Sequence, residues 1–402
     1  MTSLSLDHPV CDVNPMIPAQ LEAEQLRKYG PMVPVNLFGG VRAWAATDPV
    51  SARTVFEAHP HLSKNSAHWG ALARGEVPEG WPLLSVVTAE SMLNADGVDH
   101  QRLRRIVTHA FTPKRVRALA PRITEITRQL IEELAAADGP VDLKEAFAFP
   151  LPMTVICEFF GITEPAEMKL LHDFYVTILS VEVTGAQRQD AAVALKGMLR
   201  QLVEDKHAAP GDDLTSALAT RDEDDRLTMT EVVDTLEIIL LAGHETTVNV
   251  LTNTVHALLT HPRQLAEALS GRHSWSTVVE AGLHWDSPVR SVYMRYATQD
   301  TDICGVTVRR GEPIVVALAS ATRESATFDL DVTPRNNLAF GAGPHFCLGA
   351  TLARLEGEIA LRELFGRFPG LRLAVADTEL TYEVSPAING LVALPVLTTP
   401  PE

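Results

Sequence analysis

The chain has 402 residues, of which 46% are hydrophobic and 21% charged, an ordinary globular composition long enough to bury a large core. Its formal net charge of −17 argues against nucleic acid and anionic membrane surfaces as partners, because no net attraction offsets the approach to a polyanion. No run approaches the roughly 20 apolar residues needed to span a bilayer, and the start MTSLSLDHPVCDVNP has neither a basic nor an apolar leader region, so a soluble protein without a signal peptide is expected.

Residues 1–16, polar and proline-marked, read as a loose arm, and 17–402 as a single domain. Ala19 to Tyr29 predicts a short helix, Val33 to Trp44 alternates as strands do, and Pro49 to Ala58 predicts a second helix. From Leu62 to Gly97 the sequence is irregular and rich in Trp, Pro and Gly; Trp69, Trp81, Leu83, Leu84, Val86 and Val87 favour an ordered lid over disorder. His100 to Val107 starts a helix with His100 and Arg104 on one face at i and i+4. Arg102, Arg105, Lys114, Arg115, Arg117 and Arg122 then form a basic concentration that reads equally as a solvated face or a docking patch for an acidic protein. Amphipathic periodicity predicts a helical block from Pro121 to Lys206, and 207–227 a polar loop with a short helix. The four cysteines, Cys11, Cys157, Cys304 and Cys347, lie far apart without CxxC spacing, which suits a reducing cytoplasm better than disulfides or zinc.

A long helix is predicted from Met229 to Leu259, opened by the Thr228/Glu231 capping box. Within it, Ala242-Gly-His-Glu-Thr-Thr247 puts an acid beside a hydroxyl, and Gly243, Thr246 and Thr247 are expected on one face, where the absent side chain of Gly243 lets a flat group approach. An acid buried at mid-helix is costly for packing alone; the bland reading is a Thr hydroxyl bonded back to the i−4 carbonyl with Glu245 in solvent. Val278 to Pro288 predicts a further helix ending at Asp286-Ser-Pro, followed by strands over Tyr296 to Val306 and Pro313 to Leu318. Leu371 to Val396 reads as strand pairs about an Asn389-Gly390 hairpin turn.

The decisive stretch is Phe340 to Gly349, FGAGPHFCLG, a glycine-punctuated loop that presents one cysteine just ahead of an amphipathic helix beginning at Ala350. Unpaired N–H groups at that helix start favour a thiolate, the form in which sulfur binds a metal. Gly341, Gly343 and Gly349 are expected to adopt backbone conformations closed to other residues. Phe340, Gly341, Gly343, His345, Cys347 and Gly349 together resemble the haem-binding loop of the cytochrome P450 family.

This resemblance runs from about residue 20 to the end and implies a mainly α fold with a small β lobe. It makes Cys347 the proximal iron ligand of haem b (iron protoporphyrin IX), with Phe340, Gly341, His345, Gly349 and Gly243 against the cofactor and His100, Arg104 and Arg295 toward its propionates. It also makes Glu245 and Thr246 an acid and alcohol pair, Thr246 hydrogen-bonding dioxygen while Glu245 and water relay protons for O–O scission. Val86 and Val87 of the lid, with Leu240, Val289, Val292 and Leu391, are the expected lining for a small, largely hydrophobic substrate. The implied activity is monooxygenation in the cytoplasm, fed by a ferredoxin-type donor and its NAD(P)H-dependent reductase. Oxidative coupling or peroxide-driven chemistry on the same haem is the alternative, as is a haem protein that binds without turnover; the Glu245/Thr246 pair argues against the last.

One motif departs from the family. Where Glu-x-x-Arg is usual before the Asp-Ser-Pro turn, this chain has Ala281 and His284, and the partner arginine position ahead of the cysteine loop is Thr327. The expectation is replacement of the brace by packing, with Glu280 and His284 paired at i and i+4 and Arg335 as the nearby charge that could act instead.

Overall fold

In a computed structural model, which describes residues 4–57, 59–179, 183–220, 227–323, 327–331 and 337–398, helices form the bulk of the molecule and one mixed sheet forms its side lobe. The long helix Met229–Thr260 is the axis. Thr228 and Glu231 close its capping box, Glu231 N donating to Thr228 Oγ1 at 3.2 Å and Thr228 N to a Glu231 carboxylate oxygen at 2.8 Å. Around it pack Pro150–Phe160, Gly185–Ala208, Trp275–Trp285 and Ala350–Arg367, each burying an apolar stripe. Among the described residues no single helix is long and apolar enough to cross a membrane.

The sheet runs in the order Cys11–Asp12, Met32–Leu37, Val41–Ala46, Pro313–Val316, Val292–Ala297, Leu62–Ser63. Val292 pairs with Val316 but Arg295 with Ile314, so one extra residue bulges between them and re-aims the strand just before Arg295. The irregular lid stretch is ordered as expected, by its tryptophans. Trp69 and Trp81 are buried on the sheet, Trp69 stacks on Tyr296 at 5.6 Å, and Trp81 Nε1 donates to the Phe38 carbonyl at 2.8 Å.

Two readings are corrected. The arm is not loose: Cys11–Asp12 is a strand parallel to Met32–Leu37, Leu6 and Val13 are buried, and the buried Arg290 donates to Asn14 O and Ile17 O, each at 2.8 Å, while its Nε pairs with Glu22 at 3.0 Å. Nor is Asn389-Gly390 a two-residue hairpin turn. Residues 381–383 and 390–392 do pair, through Glu383 N to Gly390 O and Val392 N to Thr381 O, but Asn389 is buried and its amide donates to Asp286 Oδ1 at 2.8 Å and Ser287 O at 2.9 Å.

Candidate active site

The loop preceding Ala350–Arg367 is built by short-range bonds. Cys347 N donates to Phe340 O at 3.0 Å and Gly341 N to Leu338 O at 2.7 Å, which turns the chain so that Gly343, Pro344, Phe346 and Cys347 are exposed in succession. Gly341 and Gly343 have φ of 70° and 71°; a Cβ at Gly343 would stand 2.6 Å from Phe56 O, so this glycine lets the loop close on the helix Pro49–Phe56. Gly349 differs from expectation, with an ordinary φ of −77°; a Cβ there would meet Cys347 Sγ at 3.8 Å. Crowding by protein pushes the Cys347 thiol up, while N–H groups of Gly349 and Ala350 and the Arg104 and Arg354 guanidiniums pull it down. A cation at the sulfur would tip that balance to thiolate.

Beside the loop lies a cationic cluster. His100 and His345 stack with ring centroids 4.1 Å apart, His345 Nε2 is 3.7 Å from Asp96 Oδ1, and Arg104 donates to Phe346 O. Arg295 is buried and donates to Phe56 O at 3.2 Å. Burial pushes His100 down to about 4, helped by His345 and Arg104, and burial also lowers His345, against the pull of Asp96. Sequence reasoning missed two members. Lys64 is buried, donates to Tyr293 O at 2.7 Å and is pushed down to about 7 by burial and then by Arg295. Asp96 precedes the helix Gly97–Ala110 but does not cap it; its carboxylate accepts from Ser63 Oγ at 2.6 Å and Lys64 N at 2.5 Å. Burial raises Asp96, but bonds from His345, Ser63 and the Lys64 N–H hold it well below the usual carboxylate range.

On the long helix, Thr246 Oγ1 donates to Ala242 O at 2.6 Å and Thr247 Oγ1 to Gly243 O at 2.8 Å. Gly243 and Thr247 do share a face, but it is turned into the protein, where Thr247 is buried. Gly243 points at Ile156 of the neighbouring helix, where a Cβ would meet Cδ1 at 3.3 Å, and the exposed small residue in line with Thr246 is Ala242. Glu245 turns inward rather than to solvent: Lys144 Nζ lies 3.6 Å away and Asn249 Nδ2 donates to it at 3.2 Å. Lys144 also binds Glu383 and donates to Leu391 O at 2.8 Å. Burial raises the Glu245 pKa, with Lys144 opposing. His244 Nε2 bonds Phe149 O at 2.9 Å, which occupies it in packing.

The apolar lining is only partly where it was placed. Val289 and Val292 are half-buried, at the end of the bulged strand, and Val86 is exposed. Val87 packs with the tryptophans, and Leu240 and Leu391 are fully buried in the main core; these three are corrected to core. The basic patch is also less free than its sequence implies, since Arg102 pairs with Glu231, Arg115 with Asp212 at 3.1 Å and Arg122 with Glu125 and Glu158 at 2.6 and 2.7 Å. Glu280 does not pair with His284: its carboxylate takes Arg354 and Asn337, while Ala281 and His284 are buried. Arg335 lies outside the described residues.

Comparison with known proteins decides the family. The chain is 38% identical over 392 residues to 2-hydroxy-5-methyl-1-naphthoate 7-hydroxylase of Streptomyces carzinostaticus, covering 93% of this chain and 94% of that one. It belongs to the cytochrome P450 family. The family's model matches residues 168–269 and 285–372, interrupted over the stretch that holds Ala281 and His284. The P450 monooxygenase PikC of Streptomyces venezuelae is 39% identical over 92% of this chain and 89% of its own. Among solved P450 structures, CYP154C4 from Streptomyces sp. W2061 superposes with a TM-score of 0.90 at 38% identity, covering 100% of this chain and 99% of that one. The chain is thus a P450-type monooxygenase with the family's mainly helical fold and small mixed sheet.

The residues present fit a haem. Cys347 is exposed at a helix start, and His100 Nε2 is buried with no hydrogen-bond partner among the described residues, beside Arg104, Arg295 and Lys64, as a site for anionic propionates requires.

Proposed function

We propose that Cys347 ligates haem b and that the enzyme inserts one atom of dioxygen into a small, largely hydrophobic organic substrate. Two electrons and two protons reduce the other oxygen atom to water; we assign the electrons to a ferredoxin-type donor and its NAD(P)H-dependent reductase, in the cytoplasm. Bound at this site, haem supplies the redox chemistry of dioxygen activation. The chain's own groups do the rest. The N–H groups of Gly349 and Ala350 aim at Cys347 Sγ and favour its charged form. Arg104, Arg295, His100 and His345 hold carboxylates, with Lys64 added to the set. Because Thr246 spends its proton on Ala242 O, its oxygen is left to accept a hydrogen bond, and Glu245, raised toward neutrality, can take up and release a proton behind it. Val289 and Val292 offer apolar contact, and the naphthoate hydroxylase and the other relatives make a compound of secondary metabolism the reading for the substrate.

The observation that carries the proposal is the exposed residue Cys347, whose sulfur faces helix-start N–H groups. The reduced carbonyl complex should show the strongly red-shifted Soret band of thiolate ligation, and Cys347→Ala should abolish it. An unchanged spectrum in the variant would remove Cys347 as ligand.

A further inference from the structure

Glu280, on the helix Trp275–Trp285, ties the two ends of the cysteine loop together. One carboxylate oxygen accepts from Arg354 Nε, on the helix after the loop, and the other from Asn337 Nδ2 at 3.0 Å, just before it. Both routes converge on Phe340. Asn337 Oδ1 accepts the N–H of Ala339 at 3.0 Å and so shapes the backbone entering Phe340, while the Arg354 guanidinium lies over the Phe340 ring at 4.3 Å. Phe340 O in turn holds the Cys347 N–H at 3.0 Å.

The platform under this carboxylate is rigid. Helices Trp275–Trp285 and Ala350–Arg367 pack so closely that a Cβ at Gly357 would stand 3.0 Å from Val279 Cγ2, next to Glu280 in sequence. The side chains of Glu280 and Arg354 are 18% and 38% exposed, so solvent screens the ion pair and its worth lies in geometry more than in global stability. Glu280 immediately precedes Ala281, the position of the glutamate in the Glu-x-x-Arg motif this chain lacks.

We propose that Glu280 is the positioning residue of the cysteine loop in this protein, acting through Asn337 and Arg354 on Phe340 and thence on Cys347, in place of the missing Glu-x-x-Arg pair. The proposal rests on Cys347 being the iron's ligand.

The test uses the haem-loaded protein and Glu280→Gln, Arg354→Met and the double variant, with Ala281→Glu/His284→Arg for comparison. The readouts are the rate at which the thiolate Soret band of the reduced carbonyl complex decays in mild urea, and the melting temperature of the polypeptide. Glu280→Gln should accelerate decay by about tenfold or more, the equivalent of one charge-assisted hydrogen bond, while unfolding changes far less. The double variant should decay no faster than the quicker single one, because both act through one unit. Ala281→Glu/His284→Arg should bring no slowing. Decay at the wild-type rate in Glu280→Gln would overturn the proposal, as would parallel loss of band and fold with additive single variants. Absence of the thiolate band from the wild-type protein would instead overturn the assignment of Cys347 itself.

Discussion

Replacing Lys144 by Met tests the buried charge network behind the long helix. Methionine keeps the length and apolar stem of the lysine but removes the ammonium that serves Glu245, Glu383 and the Leu391 carbonyl. At 3.6 Å from Glu245, with an effective dielectric of roughly 20, the lost attraction is about 4 to 5 kcal/mol. Relief of the desolvation of Lys144 offsets part of this, leaving an expected deficit of about 3 kcal/mol where Glu245 is ionised. The sign with pH follows from the raised Glu245 pKa. A buried acid whose folded-state pKa lies above its unfolded value loses stability as pH rises from the unfolded value through the folded one, and removing the opposing cation raises the folded value further. Urea unfolding of both proteins between about pH 5 and pH 9 should therefore show a small gap at the acid end that widens with pH and then levels. A gap of constant size across that range would refute the coupling to Glu245 and leave the lost Glu383 pair and Leu391 bond as its source.

Two further outcomes are expected. Thr246→Ala should keep its haem yet divert electrons into hydrogen peroxide, read as product formed per NADPH consumed; an unchanged ratio would make the Thr246 bond to Ala242 O a helix detail only. Gly343→Ala should cost about 2 to 4 kcal/mol in urea unfolding, because it adds a Cβ 2.6 Å from Phe56 O to a left-handed φ of 71°, whereas Gly341→Ala, at φ 70° in open space, should cost about 1 to 2.

What could be read from the sequence was local. The cysteine loop is closed by bonds between residues a few positions apart, so its glycines and Cys347 announce it, and the Thr228/Glu231 box marks a helix start by side chains three apart. Helical phase was nearly right, but which face stays open depends on a neighbour from another helix, and Ile156 claims Gly243. Val87, Leu240 and Leu391 show why apolar lining is hard to choose: a core leucine and a pocket leucine have the same chemistry, and only burial separates them. Lys144, Lys64 and the Glu280–Arg354 pair were missed because each finds its counterpart across long sequence separations, with no spacing to signal it. At Asn389-Gly390 a strong turn signal lost to a tertiary one, the bonds of the Asn389 amide to Asp286 and Ser287.

The anchoring of the N-terminal arm has a bearing on how this enzyme would be engineered. Arg290 grips Asn14, Ile17 and Glu22 with its side chain, while its backbone N–H donates to Ala387 O and its carbonyl accepts from Ala319 N. Its chain neighbour Val289 bridges to Ile388 and is one of the half-buried valines proposed to meet substrate. Trimming the first sixteen residues as dispensable would strip a buried guanidinium of a carbonyl ligand right behind that wall. Mutational libraries drawn only around Val289 and Val292 would leave out the residues that hold this wall from behind.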